Sequence, residues 1–131
     1  MSRDALLATL RRSLAQRGDV RLALLFGSWA RNAANGASDV DVAVLAPGAD
    51  LLGIAAALGR EVGVDVDVVD IGAPTIPLMS ELIDDGIVLY EKEPGDYASW
   101  RARTLVQLET DRPWYARMRD AWLTRVADKG L

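Results

Sequence analysis

Residues 26–44 read FGSWARNAANGASDVDVAV, and this stretch decides the fold. An almost entirely apolar run at 20–26 leads into it, which is typical of a buried strand that ends at a glycine turn. Ten residues after the Gly-Ser pair at 27–28, a strict alternation of valine with other residues begins at 39–45 and predicts a second strand. Residues 28–38, rich in Ala, Asn, Gly and Ser, are predicted to form a short polar helix or loop between the two strands.

Aspartates alternate along two predicted strands. Asp39 and Asp41 project from one face, roughly 6.5–7 Å apart, and Asp65 and Asp67 do the same in the later strand VDVDVVDI at 64–71. If these strands pair, three or four carboxylates share one sheet face and repel one another. Neither strand contains Lys, Arg or His, so the pattern predicts a divalent cation. The alternative is two half-buried strands with a solvated acidic face, although Asp is depleted in strands.

The Gly27-Ser28 pair has the properties of a phosphate-binding turn. Glycine allows the backbone to approach a ligand closely, and the free N–H groups at a helix start attract phosphate. Ser28 adds a hydroxyl donor, and Arg31 is either a cation for the phosphates or a solvated residue of a helix face. A phosphate-binding turn followed by two metal-binding carboxylates predicts phosphoryl or nucleotidyl transfer.

Composition excludes several kinds of chemistry. The 131 residues contain no Cys and no His, which rules out thiol nucleophiles, disulfides, His-based zinc sites and His general bases. The net charge of -4 argues against direct nucleic-acid binding, which normally needs a basic surface. No apolar run approaches the ~18–20 residues of a membrane span, and the N-terminus lacks a signal-peptide pattern. We therefore expect a cytoplasmic protein without a membrane partner.

The other elements follow from periodicity and breakers. We predict helices at 2–17 (capped by Ser2), at 50–60 and from about Pro74 to Asp85, a strand at 87–90, and helices from Asp96 to Lys129 with a break or fresh start at Asp111–Pro113. This order predicts an α/β (α+β) fold, a small mixed β-sheet flanked by helices, with C-terminal helices. The length fits a single domain over 1–131, comprising a core at 1–92 and a helical segment at 93–131.

Residues 26–44, with their spacing of Gly-Ser, ten residues and Asp-x-Asp, resemble the signature of the DNA polymerase beta-like nucleotidyltransferase superfamily. The later segment GVDVDVVDI at 63–71 and the short chain are similar to its minimal nucleotidyltransferase branch. That branch includes MntA-type antitoxins, which are paired with HEPN ribonuclease toxins. The resemblance covers about residues 20–91, and the predicted C-terminal helices match only in general character.

The resemblance implies a role for each matching residue. Gly27 and Ser28 would hold the β- and γ-phosphates of ATP, and Arg31 matches a basic position that often follows Gly-Ser. Asp39 and Asp41 would bind two Mg²⁺ ions, with Mn²⁺ as a substitute. The third carboxylate would come from the strand at 64–71 and help to activate the attacking hydroxyl. The family pattern favours Asp67 for it, although Asp65 lies on the same face.

Three functions compatible with the resemblance differ in the acceptor. In the first, the chain acts as an antitoxin and transfers AMP from ATP to a hydroxyl of a partner HEPN toxin. We expect this hydroxyl to belong to a tyrosine. The second is a small-molecule nucleotidyltransferase of the antibiotic-modifying type, for which 131 residues leave little room for an acceptor pocket. The third is a non-catalytic antitoxin that covers its toxin sterically.

Trp114, Met118 and Trp122 recur every four residues and would line one side of a C-terminal helix. The stripe either packs on the sheet or forms a docking face, because aromatic residues and Met are enriched in protein interfaces.

Overall fold

The structure, a computed structural model, describes residues 1–128. Along the chain its elements are α1 (Arg3–Ala15), β1 (Leu22–Phe26), α2 (Gly27–Ala30), β2 (Val40–Leu45), α3 (Leu51–Val62), β3 (Val66–Asp70), α4 (Ile76–Asp85), β4 (Ile87–Glu91) and α5 (Asp96–Asp128). The strands form one sheet in the order β3-β2-β1-β4. β1 is antiparallel to both β2 and β4, whereas β2 and β3 are parallel. The predicted small mixed sheet flanked by helices is confirmed.

Helices cover both faces of the sheet. The even-numbered valines of β2 and the leucines Leu6, Leu10 and Leu14 of α1 are fully buried in one cluster, together with the apolar face of α3. On the opposite face Ala43 packs in a second cluster with Leu82 of α4 and Trp100 of α5. Strand alternation therefore turns Asp41, two residues before Ala43, toward the α4 side of the sheet.

The predicted elements are confirmed with shifted ends. Ser2 caps α1, its hydroxyl accepting a hydrogen bond from the Ala5 N–H at 3.1 Å. Three strands are shorter than predicted, since β1 begins at Leu22 and both acidic strands start one or more residues late, whereas β4 extends one residue further, to Glu91. As a result Asp39 and Asp65 lie just before β2 and β3, outside the paired segments.

One of two predictions about helices is corrected. The segment predicted as a short helix or loop at 28–38 agrees with the structure, which has a single helical turn, α2, beginning at Gly27 and followed by turns and irregular chain. The predicted break at Asp111–Pro113 is wrong, because α5 runs without interruption through Pro113. Proline removes the backbone hydrogen bond to the carbonyl of Glu109 and crowds that carbonyl. Glu109 is exposed, so water can take the place of the lost donor.

The aromatic stripe of α5 does not pack on the sheet, because Trp114, Met118 and Trp122 are all exposed. The predicted helical segment also includes Lys129, which lies outside the described residues. None of the helices within residues 1–128 is both long and apolar enough to cross a membrane.

Candidate active site

Gly27 lies where β1 turns into α2, and its backbone touches the carboxylate of Asp41. Its φ of +75° is in the left-handed region that favours glycine. A methyl group at this position would overlap the Oδ2 atom of Asp41 and lie 3.2 Å from its Cγ. The strand register explains the contact, since Phe26, the last residue of β1, pairs with Asp41. Glycine at this position therefore lets the predicted phosphate-binding turn and this carboxylate be neighbours without displacing the Asp41 side chain.

The parallel pairing of β2 and β3 brings two of the predicted carboxylates together. Asp41 and Asp67 are direct partners in the register, which places them on the same face of neighbouring strands ~4.8 Å apart in the pairing direction. Asp39 and Asp65 precede these strands, and the Asp65 carbonyl accepts a hydrogen bond from the Val40 N–H at 2.9 Å. Asp41 is half-buried and the other three are exposed. Asp67, and not Asp65, is thus the carboxylate opposite Asp41.

The surroundings of Asp41 disfavour the charged form of its carboxyl group. Its burial raises the pKa of the carboxyl above the ordinary value, and the negative charges of Asp67, Glu81 and Asp39 raise it further, while the Arg31 guanidinium lowers it. Burial disfavours the charged form, and three carboxylates outweigh one cation. A bound cation would relieve this repulsion.

The other two predicted residues occupy opposite ends of α2. Ser28 is half-buried beside Gly27, at the start of the helical turn, as the prediction of a phosphate-binding turn requires. Arg31 caps the C-terminal end, and its Nη1 pairs with Oε1 of Glu81 at 3.0 Å. This ion pair links α2 to α4 and turns Arg31 toward a carboxylate of the chain itself, so a role for Arg31 at the nucleotide stays a prediction.

Two residues that shape the site gave no signal in the sequence. Glu81 lies 50 residues from Arg31 and comes near Asp41 only because α4 crosses that face of the sheet. Arg3 donates two hydrogen bonds to the last carbonyls of α2, from Nε to Trp29 at 2.9 Å and from Nη2 to Ala30 at 2.7 Å. Both are contacts between distant segments, which no local spacing could reveal.

The carboxylates form an open donor set for a divalent ion. Among residues 1–128, no three acidic side chains converge closely enough to hold a metal ion by themselves. Mg²⁺ does not need such a cage, because it is usually bound by one or two carboxylates together with substrate phosphates and water. The pair Asp41–Asp67, with Asp39 two residues before Asp41, fits that mode of binding.

A groove of about 640 Å³ opens along the edge strand beside these carboxylates. Asp39, Asp65 and Asp67 line one side. Small residues of α3 and its C-terminal end line the other, including Ala55, Ala56, Gly59 and Gly63, together with the cation Arg60. The small side chains leave room for a bulky group to reach Asp67 from solvent.

The model of the polymerase beta nucleotidyltransferase family matches residues 8–95, which include all of the predicted site residues. The chain belongs to this family. A comparison with curated protein sequences finds no relative.

Solved structures share the fold over nearly the whole chain. One is a toxin–antitoxin with AMP-PNP, at 22% identity and a TM-score of 0.72, covering 94% of this chain and 99% of that one. Another is a tri-AMPylated Shewanella oneidensis HEPN toxin in complex with an MNT antitoxin, at 20% identity and a TM-score of 0.71, covering 93% and 99%. A third is the toxin–antitoxin MntA-HepT, at 22% identity and a TM-score of 0.65, covering 92% and 96%. With 92% or more of the chain covered, the likeness extends beyond the family match and into α5.

The contact between Gly27 and Asp41 can be tested with a matched pair of glycine variants. Gly48 has a nearly identical φ of +74° but no atom within 4 Å of an added methyl group. Gly48→Ala should therefore lose only the roughly 1–2 kcal/mol of left-handed strain. Gly27→Ala should lose a further ~1–3 kcal/mol from overlap with Asp41, measured by urea unfolding. Equal losses in the two variants would contradict the contact.

The raised pKa of Asp41 predicts a pH-dependent gain in stability for Asp41→Asn. The charged carboxylate disfavours the folded state above its raised pKa, so the variant should melt at a higher temperature at pH 7. The gain should shrink as the pH falls through that pKa, because the wild-type carboxyl is then neutral. Thermal melts from pH 7 to pH 3 would measure it. Asp19 is the control, since its hydrogen bond from Arg17 lowers its pKa. Asp19→Asn should bring no gain.

Proposed function

We propose that this chain transfers AMP from ATP to a tyrosine hydroxyl of a partner HEPN ribonuclease toxin and so acts as its antitoxin. The observation that carries the proposal is the position of Asp41, between the backbone of Gly27 and the carboxylate of Asp67. A turn for phosphate and a pair of carboxylates for cations are adjacent, which is what nucleotidyl transfer needs.

Gly27 and Ser28 bind the β- and γ-phosphates of ATP in this proposal. The glycine has no side chain to keep a phosphate away from the backbone, and Ser28 offers a hydroxyl donor. Asp39 and Asp41 would hold two Mg²⁺ ions, or Mn²⁺, with Asp67 as a further ligand of the catalytic one. When bound, these ions supply positive charge to the attacking and leaving oxygens. The raised pKa of Asp41 supports this assignment, because without a cation its carboxylate is repelled by the neighbouring carboxylates, those of Asp67 and Asp39 among them.

In the reaction the tyrosine oxygen forms a bond to the α-phosphorus of ATP. The bond between that phosphorus and the oxygen bridging to the β-phosphate breaks, and pyrophosphate leaves. The hydroxyl proton moves toward Asp67, whose exposed carboxylate faces the open groove. Asp67 is favoured over Asp65 because it is the register partner of Asp41.

Two observations support a protein as acceptor. The groove beside Asp67 is open to solvent along an edge strand and does not close around a small acceptor. The structures that share this fold include a toxin–antitoxin with AMP-PNP and a complex of an MNT antitoxin with a tri-AMPylated HEPN toxin. A macromolecular acceptor brings its own hydroxyl and its own complementary surface.

Nucleotide binding should depend on the two proposed metal ligands. With Mg²⁺, ATP at about 100 times its Kd should raise the melting temperature by on the order of 10 °C. Asp39→Asn combined with Asp41→Asn should abolish that shift. Glu61→Gln, an exposed change on α3 outside the groove, should retain it. A full shift in the double variant would remove the metal assignment.

AMP transfer should separate Asp67 from Asp65. We expect mass spectrometry of a co-expressed HEPN neighbour to show one or more AMP additions on tyrosine. Asp67→Asn should abolish the additions while retaining the fold. Asp65→Asn should slow transfer about tenfold at most, because Asp65 lies outside β3. The reverse pattern would assign the catalytic position to Asp65 instead of Asp67, two residues earlier in the chain.

The same measurement tests the alternative acceptors. An unmodified toxin that is nevertheless inhibited in the complex would support steric cover. Transfer to a small hydroxylated compound, with no modified protein, would support the small-molecule enzyme.

A further inference from the structure

Only the first half of α5 contributes buried residues to the domain. Trp100, Thr104 and Leu108 are buried, with Trp100 in the core cluster on that face of the sheet. Beyond Leu108, no described residue of this 33-residue helix is buried. The helix continues through 128, so about 30 Å of it extends past the last buried residue.

A stripe formed by Trp114, Met118 and Trp122 runs along this second half, and these side chains are 54%, 49% and 56% exposed. Their spacing places them on one side of the helix. The side that meets α4 is a different one, since Arg112, Tyr115, Ala116 and Arg119 line a cavity with α4 residues. At 100° per residue the two sides are roughly a third of a turn apart. No part of the chain within residues 1–128 covers the stripe.

We propose that a second copy of this chain covers the stripe, with the two helices antiparallel and related by a two-fold axis at Met118. In that arrangement residues equally distant from Met118 face each other across the axis. Trp114 and Trp122 lie four residues on either side of Met118. Each Trp114 would therefore pack against Trp122 of the other copy, and the two Met118 side chains would meet at the centre.

The charges at the two ends of the stripe indicate which partner covers it. Asp111 and Arg125 lie seven residues on either side of Met118, two helical turns away, and so belong to the same side of the helix. Neither has an ion-pair partner among the described residues. An antiparallel pair joins each Asp111 to Arg125 of the other copy, whereas a parallel pair would place like charges together. The surface is thus complementary to itself.

The size of the stripe sets the strength of the dimer. Three large apolar residues per copy cover less area than the ~800 Å² per partner of a standard stable interface. Exposed ion pairs add little to the strength of such an interface. The dimer is therefore weak and depends on concentration, and sedimentation velocity should show monomers giving way to dimers as the protein concentration rises.

Introduced thiols test the axis, because the chain has no natural cysteine. In Met118→Cys the two thiols face each other across the axis. Packed helices have axes ~8–10 Å apart, which brings facing Cα atoms close enough for a disulfide. Mild oxidation of the full chain should yield a covalent dimer. The control is Leu123→Cys, a 50% exposed position turned about 140° from Met118, which should remain monomeric. Equal cross-linking of the two variants, or none in Met118→Cys, overturns the proposal.

Charge reversal tests the direction of the helices. Asp111→Arg or Arg125→Asp alone should weaken the dimer several-fold, because like charges then meet at both ends. The double variant should restore wild-type association, since every pair is opposite again. If both single variants sediment like the wild type, or the double variant stays monomeric, the antiparallel pairing is wrong.

A different occupant of the stripe would be recognised by Trp114→Ala combined with Trp122→Ala. If the wild type is monomeric at every concentration and this variant loses a co-expressed neighbour instead, the stripe belongs to that neighbour and the proposal fails. AMP transfer is assayed separately through Asp67, so failure of the dimer leaves the proposed function untouched.

Discussion

The contact between the Gly27 backbone and the Asp41 carboxylate is the constraint on which the rest of the site depends. It exists because β1 ends opposite Asp41, and that register is fixed by the fully buried valines on the other face of β2. A shift by one residue would turn Asp41 into the core and Val42 to the site. The packing of α1 and α3 on the valine face therefore determines which carboxylates meet the turn.

The same constraint concentrates negative charge. Asp41 is held half-buried beside Asp67 and within the influence of Glu81 and Asp39, with Arg31 as its nearest compensation. Natural sites commonly carry such a cost to stability because ligand binding needs it. Arg31 is in turn paired with Glu81, so α2 and α4 are joined by the same charges that surround the site. Arg3 adds a second anchor by capping the end of α2.

The two halves of the long helix α5 have different surroundings. Its first half supplies Trp100 to the core, and Tyr97 stacks on that ring at 6.0 Å between centroids. Its second half presents an apolar stripe with opposite charges at its ends and no partner within the described chain. The ordinary explanation for exposed aromatic residues in a row is an interface. Because the opposite charges at its two ends complement each other in an antiparallel pair, we propose a second copy of the chain as the partner.

Local patterns in the sequence predict most of the elements and the two acidic strands, because alternation, capping and glycine turns act over a few residues. They also place Gly27, Ser28, Asp39 and Asp41 within one short segment of the chain, whereas the pairing of the two acidic strands stayed a condition. Three features depend on the tertiary fold. The parallel register made Asp67 the partner of Asp41, whereas the sequence left Asp65 and Asp67 on one face. The crossing of α4 brought Glu81 from 50 residues away to Arg31. Finally, α5 stayed continuous through Pro113. A proline inside a helix costs ~3 kcal/mol, because it removes a hydrogen bond and crowds the preceding turn. The carbonyl that loses its donor belongs to the exposed Glu109, which water can reach.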